Sequence, residues 1–418
     1  MLRKTLLLFG CAMLTAGFLG QRPGEPSRAR DRRAAFVVLG FNDLGMHCCN
    51  QDFSEFMILP PYNCLHAQVI ERTWPLPRLV TEDVTVSYAF PGNTESASKT
   101  NFWTYVGTLL GVSPPPNIGL TGNGLAGNMQ AGSRDWLAAG IPIVPQDDLG
   151  LFNPFQLADI KVWGASGSLL AETHAVTPVS WELRCDFCHH GAPDAPVSVL
   201  DAHDRLHGTT LYQPGNQTPV LCGSCHAQPE LGLGGQAGVE SLSLAMHKGH
   251  SPRMMDVVGA VPKGNVCYAC HPGPITQCLR DVHARMQMTC KNCHAPGSAG
   301  PESEMLAVGD PGRRPWTDMP RCDDCHKHPN WSYEQPGTLF RNSIGHGGLY
   351  CEACHNSTHA IAPARDDADN VQSVELQNHA GTIRKCTVCH SVPPFGVFRH
   401  APPSPALLTA SPARVGTF

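Results

Sequence analysis

Charge is scarce in this chain: Asp, Glu, Lys and Arg make up only 16% of its 418 residues, and aromatics 7%. Lys and Arg (30) are outnumbered by Asp and Glu (35), for a formal charge of −5, so the basic surface that nucleic acids need is missing. The one basic run, "RARDRR" at 28–33, reads as a solvated linker. Beyond the first twenty residues no stretch is long and apolar enough to cross a bilayer. What the chain has instead is 41 Gly, 37 Pro, 19 Cys and 21 His. That composition suits a loop-rich protein outside the cytoplasm better than a helical cytosolic enzyme.

Residues 1–20, "MLRKTLLLFGCAMLTAGFLG", have a basic start (Arg3, Lys4) and then an apolar run, as a secretory signal does. Removing that segment lowers the formal charge from −5 to −7. A second reading takes "LFGC", ending at Cys11, as a lipid-attachment site that tethers the mature chain, although about six apolar residues before it is short for such a leader. Export to the periplasm or cell surface of a bacterium is expected either way. Residues 21–33 read as a linker.

From residue 34 to 180 the signals are of β type. "AFVVLGF" (35–41), "HAQVIE" (66–71), "DVTVSYAF" (83–90) and "DIKVW" (159–163) are short, β-branched and bounded by turn residues. One segment, 101–110, has helical character. From 181 to 400 the aliphatic residues thin out, and residues 401–418 form a Pro-rich tail. The fold expected is two-part: a β-rich N-terminal domain, then a loop-rich region of short helices with little regular structure.

The second region carries one motif seven times. Cys185, Cys188 and His189 begin the series, followed by Cys222, Cys225 and His226, then Cys267, Cys270 and His271. Cys290, Cys293 and His294 form the fourth, and Cys322, Cys325 and His326 the fifth. Cys351, Cys354 and His355, then Cys386, Cys389 and His390, complete it. Composition alone predicts roughly a few hundredths of one C-x-x-C-H match. The first cysteines are separated by 37, 45, 23, 32, 29 and 35 residues, too irregular for a solenoid of identical units.

C-x-x-C-H is the attachment signature of c-type haem. Thiols at i and i+3 share one face of a helical turn and add to the two vinyl groups of a porphyrin, while the adjacent histidine ligates the iron. Zinc ribbons do not demand a histidine after every second cysteine, thioredoxin-like sites carry one motif beside a βαβ unit, and a disulfide framework has no use for placed histidines. Seven motifs on about thirty residues each leave too little side chain for a core, a space that apolar rings would fill. Over residues 181–400 the chain resembles the multihaem c-type cytochromes, which implies seven covalently attached haem c groups.

The sixth ligand decides between conduction and catalysis. Eleven histidines after residue 181 lie outside the motifs, enough for every iron. His203, His247, His250, His283, His346, His359 and His379 are the candidate distal ligands. His207, His190, His328 and His400 stand in reserve, as do Met246, Met254 and Met286. Within the family resemblance, ammonia-forming nitrite reductases carry a C-x-x-C-K motif, which is absent here. The function expected is relay of electrons along the haems. The alternative is an oxidoreductase acting on a small inorganic nitrogen or sulfur species at an open haem or an N-terminal metal site. Redox proteins, membrane-bound quinol oxidase or reductase modules, or further copies of the chain are the expected partners.

In the first region "GFNDLGMHCCNQDFSEFMILPPYNCLHAQVI" (40–70) gathers His47, Cys48, Cys49, Cys64 and His66. His47, Cys48 and His66 could hold one copper or zinc ion, or Cys64 could form a disulfide with Cys48 or Cys49. With "KTNFW" and "IGLTGNG" downstream, this stretch is similar to an N-terminal module attached to other bacterial multihaem cytochromes, to which no activity is assigned. His174 lies at the junction of the two regions, as a cap for the first haem or as a strand residue. Cys278 has no expected partner.

Overall fold

The computed structural model describes residues 35–190, 194–314, 317–329 and 332–392. The leader, the linker and Cys11 lie outside these residues, as do His400 and the tail at 401–418.

The first half runs β1 (Phe36–Phe41), β2 (His47–Cys48), β3 (Phe56–Met57), β4 (Cys64–Glu71), β5 (Arg78–Val80), β6 (Val84–Ala89), α1 (Phe102–Leu110), β7 (Ala126–Asn128), β8 (Gln130–Ala131), β9 (Trp136–Ala139), β10 (Phe155–Gly164) and β11 (Leu169–Ser180). The second half contributes α2 (Ala195–His207), β12 (Val220–Leu221), α3 (Leu242–His250), α4 (Met254–Val257), α5 (Val282–Arg285), α6 (Cys290–His294), α7 (Pro301–Val308), α8 (Cys351–His355) and α9 (Val371–Gln377), joined by loops and 3₁₀ turns. The expected division into a β-rich front and a loop-rich, short-helix remainder is what the chain adopts.

Two sheets form the front. One has the order β1-β4-β9-β8 with β5 also on β4; the other runs β2-β11-β10-β6-β7. Val38, Leu65, Ala67 and Val69 of the first sheet pack against Val86, Ala158, Ile160, Val162 and Ala175 of the second. Gly40 permits this approach, since a Cβ there would lie 2.4 Å from Ile160 Cδ1 and 2.9 Å from Ala175 Cβ.

The run "FVVLGF" is apolar without interruption because β1 is buried on both faces. Val38 enters the sandwich core, while Val37, Leu39 and Phe41 pack on Ile344, Leu349, Tyr350, Ala353 and Val388 of the second half. As an edge strand β1 needs cover for its free backbone. Gln372 of α9 supplies it: its amide accepts from Gly40 N–H (2.6 Å) and donates to the Gly40 carbonyl (3.0 Å).

Other bonds join the halves. Val220 and Leu221 of β12 pair in parallel with Phe56 and Met57 of β3. Gln68 Oε1 accepts from Tyr350 N–H at 2.9 Å. Arg280 and Asp369, both with fully buried side chains, pair at 2.6 and 3.0 Å. The same guanidinium donates to Gly45 O (3.0 Å) and lies 4.3 Å from the Phe155 ring centre. No helix among the described residues is long and apolar enough to cross a membrane.

Candidate functional site

Each of the seven motifs closes one helical turn. In five of them the histidine N–H donates to the carbonyl of the first cysteine: His189, His271, His326 and His390 at 2.8 Å and His226 at 3.0 Å. The other two are the single-turn helices α6 and α8. Such a turn sets both thiols and the imidazole on one side of the backbone.

The structure then brings histidines from elsewhere to the motif histidines. Ring centroids are separated by 6.3 Å for His189 and His250, 6.3 Å for His226 and His203, and 6.1 Å for His271 and His247. They lie 6.3 Å apart for His294 and His359, 6.0 Å for His326 and His283, and 5.9 Å for His390 and His346. An ion held by two imidazoles through bonds of about 2 Å, with about 1 Å more from each nitrogen to its ring centre, sets centroids about 6 Å apart.

Several of these rings are oriented by their second nitrogen. His247 Nδ1 lies 2.7 Å from Ser243 O, His250 Nδ1 2.8 Å from Met246 O, and His226 Nδ1 2.8 Å from Glu240 O. His283 Nδ1 is 2.9 Å from Asp281 Oδ2. These oxygens only accept, so Nδ1 carries the proton and Nε2 keeps a lone pair for a metal. Burial, then neighbouring His247 and His294, push His271 down to about 4; burial and then His294 do the same for His359. Neutral imidazole is the form that ligates.

One cavity of about 2590 Å³ collects most of this chemistry. The thiols and imidazoles of the third to seventh motifs line it, with Cys185 from the first. Its volume is several times the roughly 300–1,000 Å³ of an ordinary small-ligand pocket. The donor set and this space fit covalently held porphyrin.

Thiols of different motifs are neighbours in a continuous order. Cys222 lies beside Cys185, and Cys270 beside Cys185 and Cys188. Cys267 lies beside Cys290, whose sulfur accepts from Asn265 Nδ2 at 3.1 Å. Cys293 lies beside Cys325, Cys322 beside Cys351, and Cys354 beside Cys389.

Other sequence candidates fall elsewhere. His379 is exposed, its Nδ1 2.9 Å from Ala380 O, and among the described residues it makes no ring contact with a motif histidine. His207 is 4.8 Å from His203, and His328 packs edge-on to Tyr333. His174 stands on β11 between Glu375 (2.7 Å) and Asp159 (3.3 Å), a strand residue in an ion-pair network. Met246 and Met286 are exposed and Met254 is buried.

In the front half no disulfide joins Cys48, Cys49 and Cys64, so the disulfide alternative is not formed. His47 and His66 do converge, but the group between them is Asp43, not Cys48. Asp43 Oδ1 is 3.5 Å from His47 Nε2 and Oδ2 is 3.8 Å from His66 Nε2. Burial raises the Asp43 carboxyl, yet the two imidazoles outweigh it and hold the group well below its usual range. Cys48, next along β2 from His47, is pushed up to about 12, chiefly by burial and then by neighbouring Cys49 and Glu182. Among the described residues no group of three or more His, Cys, Asp or Glu side chains is placed to hold a metal ion. Asp43 could have been noticed from its i, i+4 spacing to His47. Asp135, which accepts from His66 Nδ1 at 2.9 Å, comes from the β8–β9 hairpin and gives no local signal. Cys278 is a buried free thiol.

No family model matches this chain, and no solved structure matches it. It is 30% identical over 155 residues to the cytochrome c-type protein NrfB of Escherichia coli, a stretch covering 34% of this chain and 71% of that relative.

Proposed function

We propose, since this chain belongs to the multihaem c-type cytochromes that include NrfB, that it holds seven haem c groups and passes electrons along them between redox partners outside the cytoplasm. The observation that carries this reading is the set of six imidazole pairs with centroids 5.9–6.3 Å apart. His189, His226, His271, His294, His326, His355 and His390 serve as proximal ligands. His250, His203, His247, His359, His283 and His346 serve as distal ligands to all of these except His355. Bound haem supplies reversible one-electron storage at each iron.

The chain's own task is then placement. The thiol neighbours set an order in which the second motif leads to the first, then to the third, and on through the fourth, fifth and sixth to the seventh. Helix α3 enforces one of these steps, because His247 and His250 share a face and reach the third and first motifs. Carbonyl and carboxylate partners on Nδ1 tune the basicity of His226, His247, His250 and His283 and hence the local potential.

Location in the periplasm or at the cell surface follows from the same chemistry, since haem attachment and export go together in this reading. Redox proteins, quinol-linked membrane modules and further copies of the chain are the partner classes it fits. The oxidoreductase reading draws on one specific feature, the Asp43–His47–His66 group, which lines the same cavity as the motifs.

The test is the intact mass of the chain made in a host that attaches haem. The reading expects the polypeptide plus seven haem masses, and one fewer when Cys290 and Cys293 are both replaced by alanine. A mass equal to the polypeptide alone overturns it.

A further inference from the structure

Arg313 stands on the wall of the large cavity without a protein counter-charge. Arg184, Lys291 and Arg321, which line the same cavity, reach Asp186, Glu304 and Asp323 at 3.3, 3.0 and 3.5 Å. Arg313 has no such partner among the described residues. Its side chain makes two weak contacts there: Nη1 donates to Val308 O at 3.3 Å, and Nη2 lies 3.9 Å from Met319 Sδ. The carboxylate that acts on it, Asp318, is committed to Arg314, whose guanidinium reaches Oδ1 at 2.6 Å and whose N–H donates to Oδ2 at 2.7 Å.

The chain fixes where this side chain stands. Helix α7 ends at Val308, and Gly309 packs so closely on α3 that a Cβ there would lie 2.8 Å from His247 Cβ. Asp310 then closes a turn, its carbonyl accepting from Arg313 N–H at 3.0 Å and its Oδ1 from Gly312 N–H at 2.6 Å. The guanidinium comes to rest half-buried, a charged neighbour of both His247 and His294. Those imidazoles belong to different centres. His247 pairs with His271 of the third motif, and His294 of the fourth pairs with His359. Cys267 and Cys290, from the same two motifs, are neighbours as well, so Arg313 marks the junction of the third and fourth centres.

A guanidinium presents its N–H donors in a planar fork that matches a carboxylate. Taking its charge out of water without an anion is costly. Haem carries propionate carboxylates, and the space that Arg313 lines is the one whose donor set fits porphyrin. The charge also has an electrochemical consequence. A fixed cation near an iron favours the reduced state, which carries one positive charge fewer, and the effect grows where water is excluded. A propionate deprived of its cation does the reverse and favours ferric iron.

We infer that Arg313 holds a haem propionate at the junction of the third and fourth motifs and raises the potentials of both haems there. The inference rests on the relay reading and adds to it a residue that sets the energy of one step. Because one charge serves two neighbouring centres, their potentials move together and the step between them stays shallow. Electrons arriving from either direction settle on these two haems more readily than they would without the cation.

Redox titration of the haem-loaded protein, followed by absorbance, reads this directly. In Arg313→Gln two of the seven one-electron steps are expected to move to lower potential, with the others as in the parent. Arg313→Lys keeps the charge but not the fork, and should restore most of the shift. Arg78→Gln removes an exposed cation of the front half, paired with Glu71 at 2.7 Å, and should leave every step in place. In the background lacking Cys290 and Cys293, and hence the fourth haem, Arg313→Gln should move one step instead of two. Intact mass counts the haems on every sample and keeps the two readings apart. A parent chain without haem defeats the relay reading, whereas seven haems with an Arg313→Gln titration that overlays the parent's overturns this one. A shift as large in Arg313→Lys as in Arg313→Gln, or an equal shift in Arg78→Gln, overturns it as well.

Discussion

The front sandwich and the motif-bearing half fill their interiors by different means. In the front, alternate side chains of two sheets meet: Val38 and Leu65 face Ile160 and Val162, and the interior is continuous. In the second half the side-chain core is a small cluster around Met254, Val257, Tyr268 and Met305, beside a cavity of about 2590 Å³ walled by thiols and imidazoles. Protein interiors are otherwise close-packed. A half that leaves this much space unfilled is arranged around groups other than amino acids. The front serves as a frame: β1 lends one face to its own sandwich and the other to the motif half, and Gln372 and Arg280 fasten the two.

That contrast can be broken in order of effect. The largest is expected from Arg280→Met. It leaves Asp369 buried and unpaired and should cost about 3–5 kcal/mol. Because the guanidinium bonds both halves, thermal unfolding followed separately by front-half tryptophan fluorescence and by haem absorbance should shift together. A shift confined to one signal would show that the halves are independent. Replacing both partners, as in Arg280→Met with Asp369→Leu, should recover much of the loss.

Next comes Gly40→Ala. The added methyl meets Ile160 and Ala175 at 2.4 and 2.9 Å, so the sheets must part, at a cost of about 1–3 kcal/mol by chemical denaturation. Haem spectra should stay as in the parent, because the clash lies inside the sandwich. The smallest effect belongs to Arg205→Ala, which removes the exposed pair with Asp201 on α2. With side chains 68% and 49% exposed, it should change stability by less than about 1 kcal/mol. A larger loss there would mean that surface charge supports the motif half in a way the geometry does not indicate.

Much of this organisation was legible beforehand. The strands at 36–41, 64–71, 84–89 and 155–164 cover the β-branched runs, and α1 covers the single helical segment expected at 101–110. The strand β11 is faint in the sequence, where only His174 reads as a strand residue or a haem cap, because "LLAETHAVTPVS" carries Pro178 and polar residues on both faces. The helix starts in the second half are equally faint; α2, for instance, rests on Asp194, whose carboxylate accepts from Val197 N–H. Candidate distal histidines could be chosen by spacing, and six of the seven stand beside a motif histidine. Which motif each one meets was not readable: His359 lies four residues after His355 yet pairs with His294, and His346 precedes the sixth motif yet pairs with His390. Those partners are set by how loops fold over one another. His379 was chosen on the same grounds and sits exposed. Asp43 and Asp135 were missed because the site they make with His47 and His66 is assembled from residues about ninety positions apart.

Low-temperature EPR of the oxidised, fully loaded protein, quantified against its haem content, tests the central claim most directly. Six of seven irons clasped between two imidazoles predict that at least six low-spin ferric centres per chain are found, with a high-spin signal from no more than one. High-spin iron at two or more centres would contradict the pairing of these histidines across the haems.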